Sequence, residues 1–477
     1  MVFNSLHRLL ALAVAISFAG HALAAPHRRS TPTAGQSINL VKSRPKRSLE
    51  EWGTWAKEHK QSLEVKYGGN SNQKRSASGT NFIVNQNADS SYYGQVAVGT
   101  PPSSFNVILD TGSADLWLAD SKCTTGCADV ATFNHTASET FRNLSTPFDI
   151  TYGSGRAVGG LVADTVQFAD FAVEDQVFAV CDQVSQGLLN KPVSGLLGLG
   201  WAPIAESGAV PIWQQLAGRG LWDEPVMAFH LTRFLNDSNA QEFEPGGSFT
   251  MGFANNSLYV GDIDYQPVPS NAVSYWILPL TNITVQGEVI NIPSGAPSFS
   301  AIDTGTTLIG APEEELATIF SKIPGAEPGK EDFEGYWTYP CNTSVNVELS
   351  FGGRSWGIDP ADFRLTQLSE DRCLGAFFAL TTEGDGPSWI IGDTFLKNVY
   401  TVFRYYPTSV GFAELSSEAS LVNNDPIPSP TIVPVAASVR ATTDSKAGTI
   451  TSAGSLQVAV PRFLALGSVI LGALCIL

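Results

Sequence analysis

The sequence predicts an all-β protein built as two related lobes, and three observations carry that prediction. Short runs rich in Val, Ile, Phe, Tyr and Thr, such as Phe148-Asp149-Ile150-Thr151-Tyr152 and Val158 to Phe168, alternate with Gly, Pro, Asn and Asp turns, as in a chain of many strands with tight connections. Helical runs are few: Pro211 to Arg219, Pro312 to Ile323 and Pro360 to Phe363, each with Pro near its first turn. One motif occurs twice, as Val107-Ile108-Leu109-Asp110-Thr111-Gly112-Ser113 and as Ser300-Ala301-Ile302-Asp303-Thr304-Gly305-Thr306, with the two acids 193 positions apart.

Each copy places a carboxylate after an apolar, β-prone run and before a Gly expected to turn with positive φ, so each reads as a strand entering a tight loop. A single Asp-Thr-Gly means little, because Asp and Gly are ordinary turn residues. Two copies in the same context put one Asp at a loop tip of each half, and halves that fold alike and pack face to face bring the tips together on a two-fold axis. Two carboxylates about 3 Å apart at an effective dielectric near 20 repel by roughly 5 kcal/mol, or about four pKa units. One proton therefore stays on such a pair over a wide acidic range, leaving one base and one acid.

From its start, the chain opens on a secretory signal over residues 1–24: His7 and Arg8, the apolar run Leu9 to Ala19, then Ala22-Leu23-Ala24 as cleavage site. Residues 25–75 read as a pro-segment. Residues 1–75 hold 12 Lys and Arg against 4 Glu and no Asp, leaving 16 basic against 41 acidic beyond, so the two parts attract. Lys46-Arg47 and Lys74-Arg75 are dibasic cutting points, the second in the Gly, Asn and Ser rich stretch Gly68 to Ser78.

The body, with 43% apolar residues in the whole chain of 477, is long enough for two cores. The expected lobes are residues 76–240 and 241–415, joined through the turn-rich segment Arg233 to Gly247. Residues 416–452, with Pro426-Ile427-Pro428-Ser429-Pro430 and then Thr, Ser and Ala, read as a stalk that buries no core. The uncharged end Phe463 to Leu477 makes a helix of roughly 22 Å, short of the roughly 30 Å hydrocarbon core. Small residues at Ser452-Ala453-Gly454, a spacer and that tail fit a glycosylphosphatidylinositol signal over residues 453–477, with Ser452 as candidate attachment residue and the neighbourhood of Ser445 also open.

Six cysteines lack the paired spacing and His partners of a zinc site, so no metal or other cofactor is expected. Six Asn-X-Ser/Thr sequons, at Asn134, Asn143, Asn236, Asn255, Asn282 and Asn342, offer glycosylation in a secreted chain. A net charge of −17 favours basic substrates and gives no reason to expect nucleic acid.

Beyond the twin motif, Ala114-Asp115-Leu116-Trp117 follows Asp110, Tyr152-Gly153-Ser154-Gly155 lies 42 positions past it, and Gly195-Leu196-Leu197-Gly198-Leu199-Gly200 is matched by Trp389-Ile390-Ile391-Gly392-Asp393-Thr394-Phe395, Tyr400-Thr401-Val402-Phe403 and Val410-Gly411-Phe412-Ala413. In these elements the chain, over most of residues 85 to 415, resembles the pepsin-like aspartic endopeptidases. The resemblance implies the bilobal pepsin-like fold with its cleft between the lobes, Asp110 and Asp303 as catalytic acids, and hydrogen bonds to them from Ser113 and Thr306 hydroxyls and from Gly112 and Gly305 amides. It implies a flap carrying Tyr152, Gly153 and Ser154 over a polypeptide substrate, with Trp117 holding the Tyr152 hydroxyl. It also implies disulfides among Cys123, Cys127, Cys341 and Cys373, contributing roughly 2 kcal/mol for the small ring and nearly 4 for the larger, while Cys181 stays a buried thiol. Leu63-Glu64-Val65-Lys66-Tyr67 is similar to the end of the family's propeptide helix, which sets Lys66 against the catalytic acids, so that acid releases the segment.

Ser154 stands where some fungal relatives carry Asp, and the Cys123 to Cys127 loop lacks the acidic insertion of yapsin-like enzymes. Hydrophobic residues on both sides of the cut bond are therefore expected, for an enzyme acting as a monomer. The other class to weigh is a catalytically inactive relative that binds protein or cell wall; both Asp-Thr-Gly motifs and the flap Tyr are intact, which argues against it.

Overall fold

The computed structural model describes residues 36–43, 89, 92–152, 154–169, 171–235, 240, 243–270, 273–381, 386–421 and 437–441. The signal, Lys66, both dibasic pairs, Gly153, Asn236, Ser452 and the C-terminal tail lie outside them. Strands dominate, and the architecture is the all-β, bilobal one expected.

The largest sheet spans the first lobe and the platform beneath both lobes. Its order runs Tyr259–Pro267, Ser409–Leu415, Val399–Arg404, Val226–Leu231, Phe243–Met251, Gln36–Ser43, Tyr92–Val98, Ser103–Asp110, Val193–Gly198, Leu116–Ala119, Phe171–Val184, Gly155–Phe168 and Arg142–Tyr152. Strands from both halves of the sequence thus share one ladder, which fixes how the lobes sit. The second lobe has a sheet around Phe299–Ile302, Trp389–Ile391, Ile309–Ala311 and Arg372–Ala379, and a four-stranded sheet, Glu288–Asn291, Asn282–Val285, Val347–Ser350 and Ser355–Ile358. Ser103–Asp110 begins with alternating exposure and ends buried from Val107 onward, because its parallel neighbour Val193–Gly198 belongs to a layer covered on both faces.

Helices Ile212–Gly218, Glu313–Ser321 and Pro360–Phe363 fall in the spans where Pro predicted them. Two short ones, Asp393–Leu396 and Ser417–Leu421, carry no Pro signal. The sequence differs from the structure at two further places. The junction expected over Arg233 to Gly247 is a strand from Phe243, paired on both sides. Gly247 there has φ +102, and a Cβ on it would lie 1.9 Å from the His230 carbonyl oxygen, so the glycine serves close packing inside a strand rather than a turn. The stalk, expected to bury no core, contributes Ala437–Arg440, which pairs in parallel with Phe171–Glu174.

Residues 36–43 of the expected pro-segment lie within the platform, between Phe243–Met251 and Tyr92–Val98. Beneath it sits a buried ionic cluster. Lys397 Nζ is 2.9 Å from both Asp89 Oδ2 and Asp362 Oδ1, Arg233 reaches Asp362 at 2.8 Å, and Asp89 accepts the Phe234 and Leu235 amides. Removing one member of such a set leaves an uncompensated buried charge.

His230, 2% exposed in Val226–Leu231, has no hydrogen bond at Nδ1, and burial pushes its imidazole down to about 4. Its folded-state value lies below the unfolded one, so stability is complete above about pH 6.5 and falls as pH drops toward 4, by about 3 kcal/mol. His230→Leu should narrow the difference in urea stability between about pH 7 and pH 4 by that amount; an unchanged difference would contradict the assignment.

Candidate active site

Each motif carboxylate stands at the end of a buried strand. Asp110 closes Ser103–Asp110, and its carbonyl accepts the Leu199 amide at 2.7 Å; Asp303 follows Phe299–Ile302, and its amide donates to the Ile391 carbonyl at 3.0 Å. The elements Val193–Gly198 and Trp389–Ile391 run parallel to these two strands, so the same construction is repeated in the two lobes.

The loops are joined across the lobes by their threonines. Thr111 N–H donates to Thr304 Oγ1 (3.1 Å) and Thr304 N–H to Thr111 Oγ1 (2.9 Å). Each hydroxyl donates onward to the strand of the other lobe, Thr111 to the Ile302 carbonyl (2.8 Å) and Thr304 to the Leu109 carbonyl (2.7 Å). Trp276 adds a further link: its indole N–H donates to the Leu199 carbonyl and its own carbonyl accepts the Ile302 amide.

That grip brings the carboxylates together. A Cβ on Gly112 would lie 2.5 Å from Asp303 Oδ2, and one on Gly305 would lie 2.2 Å from Asp110 Oδ1. Neither glycine has positive φ, so the expectation of a positive-φ turn is corrected: glycine is required because the opposite acid occupies the space of a side chain.

The hydrogen bonds to the two acids correspond. Gly112 N–H donates to Asp110 Oδ1 (2.8 Å) and Ser113 Oγ to Oδ2 (2.5 Å); Gly305 N–H donates to Asp303 Oδ1 (2.8 Å) and Thr306 Oγ1 to Oδ2 (2.7 Å). Both acids are buried, at 1% and 0% exposure. Both oxygens of each acid thus accept hydrogen bonds inside the protein.

Arg142–Tyr152 and Gly155–Phe168 form a hairpin, with half-buried Ser154 at its tip. Trp117 Nε1 donates to the Tyr152 hydroxyl at 2.8 Å. Burial first, then the charges of Asp115 and Asp110, push that hydroxyl well above its ordinary range, so it stays protonated. On the same hairpin, Arg156 pairs with Asp149.

Two features were not read as functional from the sequence. Thr111 and Thr304 stand in both motifs, and their repetition was the available signal. Asp115 stood in the Ala114-Asp115-Leu116-Trp117 element with no role assigned to it: its carboxylate accepts the Glu206 amide (2.8 Å), the Ser207 amide (3.0 Å) and the Ser207 hydroxyl, clasping a loop some 90 residues away to the Asp110 loop. Burial raises it above the usual carboxylate range against those hydrogen bonds.

The disulfides are Cys123–Cys127 and Cys341–Cys373, and Cys181 is a buried free thiol. Asn134, Asn143 and Asn342 are exposed, whereas Asn255 and Asn282 are half-buried.

A mostly β, two-lobed chain whose halves each lend an acid and a glycine to one centre defines the aspartic-type endopeptidases. Residues 91–415 match the family model for eukaryotic aspartyl protease, and the chain belongs to that family. It is similar to major aspartyl peptidase 1 of Cryptococcus neoformans var. grubii, with 45% identity over 365 residues, 74% of each chain. With human cathepsin D it shares 32% identity over 355 residues, 70% of this chain and 82% of that one. With pepsin A of Sus scrofa the figures are 30% over 334 residues, 69% and 82%.

Gly112→Ala should lower kcat/KM by at least about a hundredfold with near-ultraviolet circular dichroism unchanged, because the new methyl must displace the Asp303 carboxylate. Activity within a few fold of wild type would show that the loops have room to spare.

Proposed function

We propose that this chain hydrolyses peptide bonds of polypeptides under acidic conditions, with Asp110 and Asp303 as catalytic acids sharing one proton. The observation that carries the reading is the approach of each carboxylate to the glycine of the opposite motif. Paired aspartates of this family are the standard example of coupled carboxyl titration. The ionised acid takes a proton from a water between the two, the water oxygen attacks the peptide carbonyl carbon, and the protonated acid gives its proton to the carbonyl oxygen. Collapse of the resulting gem-diol breaks the C–N bond: the amine nitrogen leaves with the proton the first acid had gained, and one diol hydroxyl returns its proton to the second acid, which releases a carboxylic acid and restores the singly protonated pair. Gly112, Gly305, Ser113 and Thr306 orient the carboxylates; Tyr152, Gly153 and Ser154 cover the substrate, with Trp117 steadying Tyr152. Hydrophobic residues flank the cut bond.

Activity requires the singly protonated pair, so it falls as pH rises toward neutrality and the last proton leaves. Residues 25–75 act as an inhibitory pro-segment, released when acid protonates the carboxylates that attract it, and residues 76–240 and 241–415 are the lobes. At about pH 3 to 5 the full-length protein should shorten near Arg75 and then cleave denatured haemoglobin, with pepstatin blocking cleavage. Asp303→Asn should lower that cleavage by about a thousandfold or more while the protein stays folded. Full activity in that variant would refute the catalytic reading, and a persistent full-length, inactive wild type would refute self-activation.

The same chain enters the secretory pathway through residues 1–24, carries N-glycans on its sequons, and is held as a monomer at the cell surface by a lipid anchor attached near Ser452. Supporting this are the signal-like start, the short uncharged end and the sequons; among the described residues no helix is long and apolar enough to cross a membrane. Endoglycosidase should lower the apparent mass of the membrane-fraction protein, and phosphatidylinositol-specific phospholipase C should move it to the soluble fraction. Retention in the membrane after lipase treatment would remove the anchor from the proposal.

A further inference from the structure

The described part of the second lobe's chain ends with Ser417–Leu421 beside the platform and resumes at Ala437–Arg440 on the first-lobe strand Phe171–Val184. Fifteen residues, 422–436, connect the two, a reach of up to about 50 Å. The register is Ala437 with Phe171, Ser438 with Ala172, Val439 with Val173 and Arg440 with Glu174, and the Ala441 amide donates to the Glu174 carbonyl at 2.7 Å.

The segment has the two-faced pattern of a strand that fits this edge. Val439 and Ala441 are partly buried against the main core. Ser438 and Arg440 lie on the other face and line a cavity of about 440 Å³ with Thr100, Thr140, Gln167 and Asp175. Arg440 Nε reaches Asp175 Oδ2 at 2.8 Å, while Arg142 holds Oδ1 of the same carboxylate at 2.9 Å. Asp175 has φ +57, an uncommon backbone state for a residue other than glycine, at the point where the Gly155–Phe168 pairing shifts register.

From these contacts we infer that the edge strand Phe171–Asp175 is a docking site for the chain's own C-terminal segment, residues 437–441. The segment adds a strand through backbone hydrogen bonds, its alternate apolar residues supply fit, and the Arg440–Asp175 pair fixes register. The C-terminal segment thereby departs from the first lobe's edge rather than from the platform where the second lobe's chain ends. Any anchor carried beyond residue 441 would then hold the protein by its first lobe. Docking itself needs neither catalysis nor an anchor, so it stands or falls apart from the readings above.

Two measurements on the full-length chain test it. Ala172→Cys with Ser438→Cys places thiols on paired residues, and mild oxidation should join the peptides containing positions 172 and 438, whereas Val177→Cys with Ser438→Cys should not. In Val439→Asp with Arg440→Asp, the amides of residues 171–176 should exchange hydrogen at least about tenfold faster, with the rest of the first lobe unchanged. Equal cross-linking in the two cysteine pairs, or unaltered exchange at residues 171–176, would overturn the docking site.

Discussion

Thr111 and Thr304 hold the molecule at its most demanding point, because each must satisfy its own amide through the other's hydroxyl and each hydroxyl must reach a carbonyl of the opposite strand. All of these atoms are buried. An unpaired buried donor or acceptor costs about 1–3 kcal/mol, so a slip of one lobe against the other would break several bonds together. The exchange is therefore a registration device. It keeps two carboxylates at a separation that their mutual repulsion alone would not choose.

Other features of the centre follow from that constraint. With the loop tips so close, a side chain at position 112 or 305 has nowhere to go, and each acid draws its donors from its own loop. Support from behind is less symmetric. The Asp110 loop is tied to residues 198–200 through backbone bonds, Trp213 and Trp276 hold the Gly200 and Leu199 carbonyls, and Asp115 secures the loop at residues 206–207. The hairpin that carries Tyr152 is tied to the same lobe through Trp117. Trp276 passes support to the second lobe through Ile302.

Much of this was legible in the sequence because the repeated motif, the apolar runs before it and the position of Tyr152 are local patterns. What stayed hidden depends on contacts between distant segments. The reason for Gly112 and Gly305 is the opposite acid, which no local pattern reports. Asp115 looks like a surface residue beside Leu116 until the loop at 206–207 closes on it. The Lys397 cluster draws on residues 89, 233, 362 and 397, four places with no common motif. Ala437–Arg440 is too short, in too polar a neighbourhood, for alternation to stand out, and only the waiting edge at Phe171 gives it meaning.

The platform adds a condition on any maturation of the protein. Gln36–Ser43 pairs along its whole length with Phe243–Met251 and at Lys42 and Val41 with Tyr92–Val98. Departure of that strand would leave backbone donors and acceptors of Phe243–Met251 without partners in the middle of a sheet that both lobes share. Close by in the sequence, Asp89 is pinned by Lys397 and by the amides of Phe234 and Leu235, so the chain entering Tyr92–Val98 is fixed independently of Gln36–Ser43.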